Sequence, residues 1–256
     1  AVRERAARVD MTSFTKAEVS GPGAVALMQK LCAGNLDKPV GSIAYTQMLN
    51  ERGGIEADVT ITRLAEDRYY FVTGSGFGVH DLAHLRRHAP RDGSVTIGDV
   101  TSSRAVVNLC GPRARDVLQS VTDDDVSNAA LPYMRAREIR LGYAPVSALR
   151  VSYVGELGWE LHVPMEYAQH VYETLRDAGA AHGIADVGYR AISSLRLEKQ
   201  YLYWGADISP DETPFEAGLG FAVSMKKNVD FVGRAALDRQ QQAGVQRRLC
   251  WFNTDA

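Results

Sequence analysis

The chain has 256 residues, 45% of them hydrophobic and 23% charged, with a net charge of −2. This is the composition of a globular protein with room for one large domain or two lobes. It excludes general attraction to nucleic acid or anionic membrane, and no apolar run nears the roughly 18 residues of a spanning helix. Cys32, Cys110 and Cys250 form no CxxC pair and lack zinc-ligand spacing, so they read as reduced thiols of an intracellular protein.

Residues 12–32 read as a strand, a Gly-Pro turn with Pro22 near a helix start, and a helix with Val25, Met28 and Leu31 on one face. Residues 43–63 hold two strand-like runs joined by the polar turn NERGG, and the turn AEDR leads to YYFVT and a second hairpin. Gly74, Ser75, Gly76 and Gly78 precede a helix with Val79, Leu82 and Leu85. These glycines lack the GxxxxGK[ST] pattern and read as a plain turn. His80, His84 and His88 recur every four residues without the acidic residue of HExxH, so they read as a solvent-facing stripe with no metal.

Strands near 95–99 and 104–109, a helix from Pro112, strands near 136–140, 146–153 and 158–163, and a helix over 165–178 follow. GYRAISSLRLEKQYLYWG reads as a further helix with Ile192, Leu195 and Leu202 at helical spacing; DISPDETPFEAGLGFAVSM as a loop turning into a strand; DFVGRAALDRQQQ as a short last helix. Hairpins with helices packed on them imply an α+β class. The chain enters a strand-like segment almost at once and stops in QRRLCWFNTDA, which reads as the opening of another strand. It is expected to be a piece of a longer polypeptide.

The two halves are near-repeats, about 12–90 and 102–180. Gly21-Pro22 is matched by Gly111-Pro112, His80 by His170 and Leu85 by Leu175, each ninety residues on. Duplicated units tend to leave a cleft suited to a ligand. In this alignment Asp58 faces Ala148 and Glu160 faces Tyr70, so two carboxylates break the symmetry.

Asp58 lies on the polar face of a strand, with Thr60 and Thr62, opposite Val59 and Ile61. Asp is depleted in strands; it is either a water-facing edge residue or a reactive carboxylate beside a Gly-Gly turn that admits a ligand. Glu160, beside Trp159 and near Tyr153, is either paired with an arginine such as Arg150 or grips the N–H edge of a flat heterocycle. Tyr45, Tyr153, Tyr201, Tyr203 and Trp204 suit a ring-shaped ligand, though each singly is more often a core residue. No nucleophilic triad and no GxGxxG fingerprint after a strand stands out.

The succession VDMTSFTKAEVSGPGA, YTQMLNERGGIEADVTITRL, YVGELGWEL, SLRLEKQYLYWGADI, TPFEAGLGFAV and DFVGRAAL resembles the glycine cleavage T-protein (aminomethyltransferase) superfamily. Within it, the chain is similar to the folate-binding domain of sarcosine and dimethylglycine dehydrogenases and oxidases. The resemblance implies an aminomethyltransferase-like fold over 1–245 and, over 246–256, the start of a truncated C-terminal β-barrel. It implies tetrahydrofolate as ligand, with Asp58 at the reactive nitrogens, Glu160 on the pterin edge, Tyr153 packed near the pterin, and Tyr45 and Thr60 beside Asp58. Arg190 is implied as a further folate contact, although it stands two positions out of register with the family's GARD arginine, and Ala57 replaces the first of two consecutive aspartates.

The implied activity is capture of the carbon released by oxidation of a methylamine, as 5,10-methylene-tetrahydrofolate. The oxidation would fall to FAD on a separate domain of the same polypeptide, in the cytoplasm or, in a eukaryote, the mitochondrial matrix. The rivals are a stand-alone aminomethyltransferase, a folate-dependent demethylase and a non-catalytic regulatory member of the same fold. Ala57 counts against the first and retention of Asp58 against the last. An iron–sulfur assembly factor is disfavoured by the lack of a cysteine motif.

Overall fold

The computed structural model describes residues 1–253. In chain order the elements are β1 (Ala7–Asp10), β2 (Thr15–Ser20), α1 (Ala24–Leu31), β3 (Ile43–Leu49), β4 (Ile55–Ala65), β5 (Arg68–Thr73), α2 (Gly78–His88), β6 (Thr96–Asp99), β7 (Arg104–Cys110), α3 (Ala114–Gln119), β8 (Ala136–Leu141), β9 (Ala144–Leu149), β10 (Gly158–Pro164), α4 (Ala168–Gly179), β11 (Ala185–Asp186), α5 (Tyr189–Glu198) and α6 (Arg234–Ala243). The class is α+β. Among the described residues no helix is long and apolar enough to cross a membrane.

The chain divides into two compact units. One holds residues 17–40, 44–99 and 202–253, and is built on a sheet of order β3-β4-β5-β2-β6. The other holds residues 1–16, 41–43 and 100–201, on a sheet of order β11-β1-β7-β10-β9-β8. Chain order and sheet membership part company at two strands. β1 precedes the first repeat but pairs antiparallel with β7, and β6 precedes the second repeat but pairs antiparallel with β2.

In the first-repeat unit, period-two alternation along β4 sends Ala57, Val59 and Ile61 into a core with Leu27, Met28 and Leu31 of α1 and Leu82 and Leu85 of α2. Glu56, Asp58 and Thr60 therefore lie on the opposite face. In the second-repeat unit, Ala144, Val146 and Ala148 of β9 join Trp159, Leu161 and Val163 of β10 in the equivalent core, packed with Val171 and Leu175 of α4. The match Ala57–Ala144, Val59–Val146, Ile61–Ala148 is eighty-seven residues, not ninety. Asp58 thus answers to Pro145, and its expected counterpart Ala148 is a core residue on the other face. The slip arises because the β8–β9 turn is three residues shorter than the β3–β4 turn. The loop before β10 restores it, so Tyr70 and Glu160 do correspond.

Four other expectations are corrected. Val79 is exposed, because Leu82 and Leu85 carry the buried face of α2. α5 stops at Glu198, where Gln200 takes a left-handed φ of 58° and the Lys199 and Gln200 amides close on Arg196 and Leu197, so Leu202 leaves the helix for a different core. The stretch around 216–224 forms a short helical turn at Gly220–Ala222 rather than a strand. Lys227 beyond it donates its Nζ to the carbonyls of Gln29, Cys32 and Gly34 at the end of α1, tying the loop down. Residues 246–253 form no strand; the Leu249 amide donates to the Glu216 carbonyl and Arg247 bonds the Glu216 carboxylate and the Asp211 carbonyl, while 254–256 lie outside the described residues.

The β3–β4 turn delivers Asp58. Gly53 has φ 86°, which favours glycine, and a Cβ on Gly54 would collide with the Pro210 carbonyl oxygen. Gly54→Ala should therefore cost about 1–3 kcal/mol of stability in urea denaturation. Gly76→Ala, where an added Cβ meets nothing within 4 Å, should be neutral. Equal midpoints for the two variants would remove this role for the turn.

Candidate functional site

Asp58 sits on β4, between β3 and β5, so it is not an edge residue facing water. It keeps some exposure, but its carboxylate lies deep. Tyr45 donates its hydroxyl to Oδ2 at 3.0 Å and Gln47 donates Nε2 to Oδ1 at 2.9 Å. Both donors come from β3, two residues apart and so on one face. Thr60 lies next to Asp58 on that face, opposite Val72 of β5. The exposed Phe221 ring stacks on Tyr45, with centroids 6.1 Å apart.

Burial pushes the Asp58 carboxyl up to about 6. The Gln47 and Tyr45 hydrogen bonds pull it down, and the charge of Asp81 adds to the rise. Asp81, at the start of α2, is buried and is itself raised by desolvation. Thr73 donates to it at 2.6 Å and His80 Nδ1 lies 2.9 Å away. His80 Nε2 is 3.4 Å from Glu56, which closes a chain of polar groups along this side of the sheet.

The histidine stripe is solvated at the exposed His80 but not at His84. His84 is buried, its Nε2 has no partner, and burial pushes it down to about 4, so it is a neutral core residue. Among the described residues, no cluster of three His, Cys, Asp or Glu side chains could hold a metal ion. Cys32 and Cys110 are buried thiols pushed up to about 12 by burial; Cys250 is exposed.

In the second-repeat unit Glu160 lies on the face of β10 opposite the core, across from Asn108 of β7 and Leu149 of β9. His162 Nε2 approaches it at 3.4 Å. The pairing with Arg150 does not form: Arg150 donates to the Leu131 carbonyl and lies over the Trp159 ring. Trp159 does not flank Glu160 as a ligand surface, because its neighbouring position in the strand turns it fully into the core. Tyr153 stands in the loop after β9, not in a strand, and stacks on Tyr201 with ring planes 19° apart. Arg190 is exposed on α5, and none of the described residues holds its guanidinium.

Tyr45, Asp58 and Thr60 are thus brought together in one unit, while Tyr153, Glu160 and Arg190 belong to the other. Of the remaining aromatics, Trp204 donates Nε1 to the Ile55 carbonyl and packs edge-on against Phe77, which also meets Tyr203. Gln47 is the residue that sequence reasoning missed. Its signal was available in the shared parity of Tyr45 and Gln47 across the turn from Asp58.

The family model of the GCVT N-terminal domain matches residues 1–227. Mitochondrial sarcosine dehydrogenase of Homo sapiens is 39% identical over 269 residues, covering 100% of this chain and 29% of that protein. The mitochondrial pyruvate dehydrogenase phosphatase regulatory subunit of Mus musculus is 39% identical over 256 residues, covering 99% of this chain and 29% of that protein. Among solved structures, glycine cleavage system aminomethyltransferase T from Bartonella henselae matches with a TM-score of 0.83 at 30% identity, over 95% of this chain and 65% of that one. The chain spans 29% of the length of these two curated relatives. With the family model running from the first residue to Lys227 and the fold shared with a glycine cleavage T protein, this chain belongs to the aminomethyltransferase (glycine cleavage T-protein) family.

Proposed function

We propose that this chain binds tetrahydrofolate and captures the carbon released when a methylamine such as sarcosine or dimethylglycine is oxidised, giving 5,10-methylene-tetrahydrofolate. The observation that carries this reading is Asp58: a desolvated carboxylate at about 6, held on both oxygens by neutral donors. At neutral pH it is mostly ionised yet still basic enough to take a proton, as a general base requires. A cation bound to it would have left it too acidic for that work.

Bound tetrahydrofolate would supply a nucleophilic amine nitrogen to which the one-carbon unit is joined. Asp58 would orient that amine and receive the proton it sheds. Tyr45 keeps the carboxylate in place, and Thr60 offers a hydroxyl on the same face. Glu160 fits the edge of a pterin, because a carboxylate accepts two parallel N–H bonds and among the described residues Glu160 has only the long His162 contact. The Tyr153–Tyr201 pair offers a flat aromatic surface. Alignment of the reacting groups is a main source of rate in a reaction of this type. Arg190 receives no role.

The oxidation itself would belong to a flavin-bearing domain of the longer polypeptide, in the mitochondrial matrix of a eukaryote or the cytoplasm of a bacterium. The similarity to a dehydrogenase more than three times as long supports this division of labour. The equal similarity to a regulatory subunit favours one second reading, a chain that keeps the fold without turnover. Asp58→Asn in the parent protein separates the two.

That substitution should lower methylene-tetrahydrofolate formation by roughly 10²–10⁴-fold and leave tetrahydrofolate binding nearly unchanged. The wild-type rate should rise with pH through about 6, and the variant should lose that limb. An unaltered rate refutes the assignment. Stability gives an independent check. A folded-state value above the unfolded value near 3.8 means that stability is full below 3.8 and declines as pH rises through about 6. Asp58→Asn should escape that decline, gaining up to ~3 kcal/mol on wild type between pH 4 and pH 8 in chemical denaturation. Glu160→Ala should weaken tetrahydrofolate binding by about 1.5–3 kcal/mol in calorimetry; undiminished affinity would remove Glu160 from the site.

A further inference from the structure

Gln47 is fully buried, an unusual setting for a primary amide. Its Nε2 donates to Asp58 Oδ1 at 2.9 Å, while its Oε1 is buried with no hydrogen-bond partner among the described residues. An apolar side chain would fill this space without leaving an acceptor unpaired. A cationic one would make the stronger bond to a carboxylate. The amide does neither, and its position is explained by what it does to Asp58.

We propose that Gln47 is the positioning residue of Asp58, a neutral donor that fixes the carboxylate's orientation and keeps it ionisable as a base. The proposal rests on the role given to Asp58 above and goes beyond it by assigning control of that base to a second side chain. With Oδ1 held by Gln47 and Oδ2 by Tyr45, neither oxygen can rotate away, and each keeps a second lone pair for the bound amine. Among the described residues, the titratable groups that act on Asp58 are Tyr45 from β3 and Asp81 from α2, with no lysine or arginine among them. Glu56, two residues back on the same strand, and His80, beside Asp81, complete the charged surroundings. Tyr45 and Gln47 are thus the donors that offset burial and the Asp81 charge. Gln47 is the one that cannot itself ionise.

The test is a carbon-13 carboxyl NMR titration of the whole chain without folate, with the Asp58 resonance assigned by its loss in Asp58→Asn. Gln47→Met keeps the volume and removes the donor, and should move the Asp58 midpoint up by about one pH unit. Gln47→Glu keeps the shape and adds a second carboxylate, so it too should move the midpoint up, and it serves if the first variant does not fold. A role confined to joining β3 to β4 would lower the melting temperature and leave the midpoint in place. A midpoint within about 0.3 units of wild type overturns the proposal. In the parent protein the acid limb of the tetrahydrofolate-dependent rate should move with the midpoint. A moved midpoint with no such rate anywhere would sink the folate reading and leave the hold of Gln47 on Asp58 standing.

Discussion

The structure of the first-repeat unit depends on the two-residue period of β4 at a strand that has neighbours on both sides. Ala57, Val59 and Ile61 are committed to the core under α1 and α2, so Asp58 is committed to the other face and cannot swing around an edge. A carboxylate fixed there loses water without any choice of conformation. What surrounds it must then either neutralise it or supply donors. β3 supplies donors, and because Tyr45 and Gln47 are themselves two residues apart, one alternation answers another.

The outcome is a carboxylate with an intermediate basicity, set by competition rather than by any single contact. Burial and the neighbouring Asp81 push one way, and two neutral hydrogen bonds push the other. Asp81 is restrained in turn by Thr73 and His80, so its own charge is partly answered before it reaches Asp58. Glu160 sits in different surroundings. It shares its sheet face with Asn108 and His162.

Much of this was legible in the sequence. The alternation of ADVTITRL, the turn residues NERGG and the helical spacing of Leu82 and Leu85 each follow from local chemistry, and they place Asp58 on the right face without tertiary information. Failures came where packing decides. His84 looks like a member of an exposed stripe until the sheet beneath α2 is known, and Trp159 looks like a partner of Glu160 until the parity of β10 is tied to a core. Gln47 passed unnoticed because a polar residue in a strand is unremarkable by itself; only its pairing across the hairpin gives it meaning. The ninety-residue repeat was real but too simple. A shorter turn before β9 and a longer loop after it cancel in the total, so that anchors at both ends agreed while the strand between had slipped by an odd number and changed face.

The membership of β1 and β6 in sheets away from their own repeats bears on how the molecule is made. β1 leaves a ribosome before the other described strands, yet Ala7 has its partner in Cys110, at the far end of β7. Until that strand emerges, β1 has no ladder to join, while β2 to β5 can already assemble. The first sheet likewise waits for β6 before its exposed edge at β2 is covered. Pairings this distant in sequence are slow to form and leave an unpaired edge open to other chains in the interval. The duplication therefore did not yield two pieces that mature one after the other: the last strand to be synthesised for each sheet sets the moment at which the nascent chain becomes safe from its neighbours.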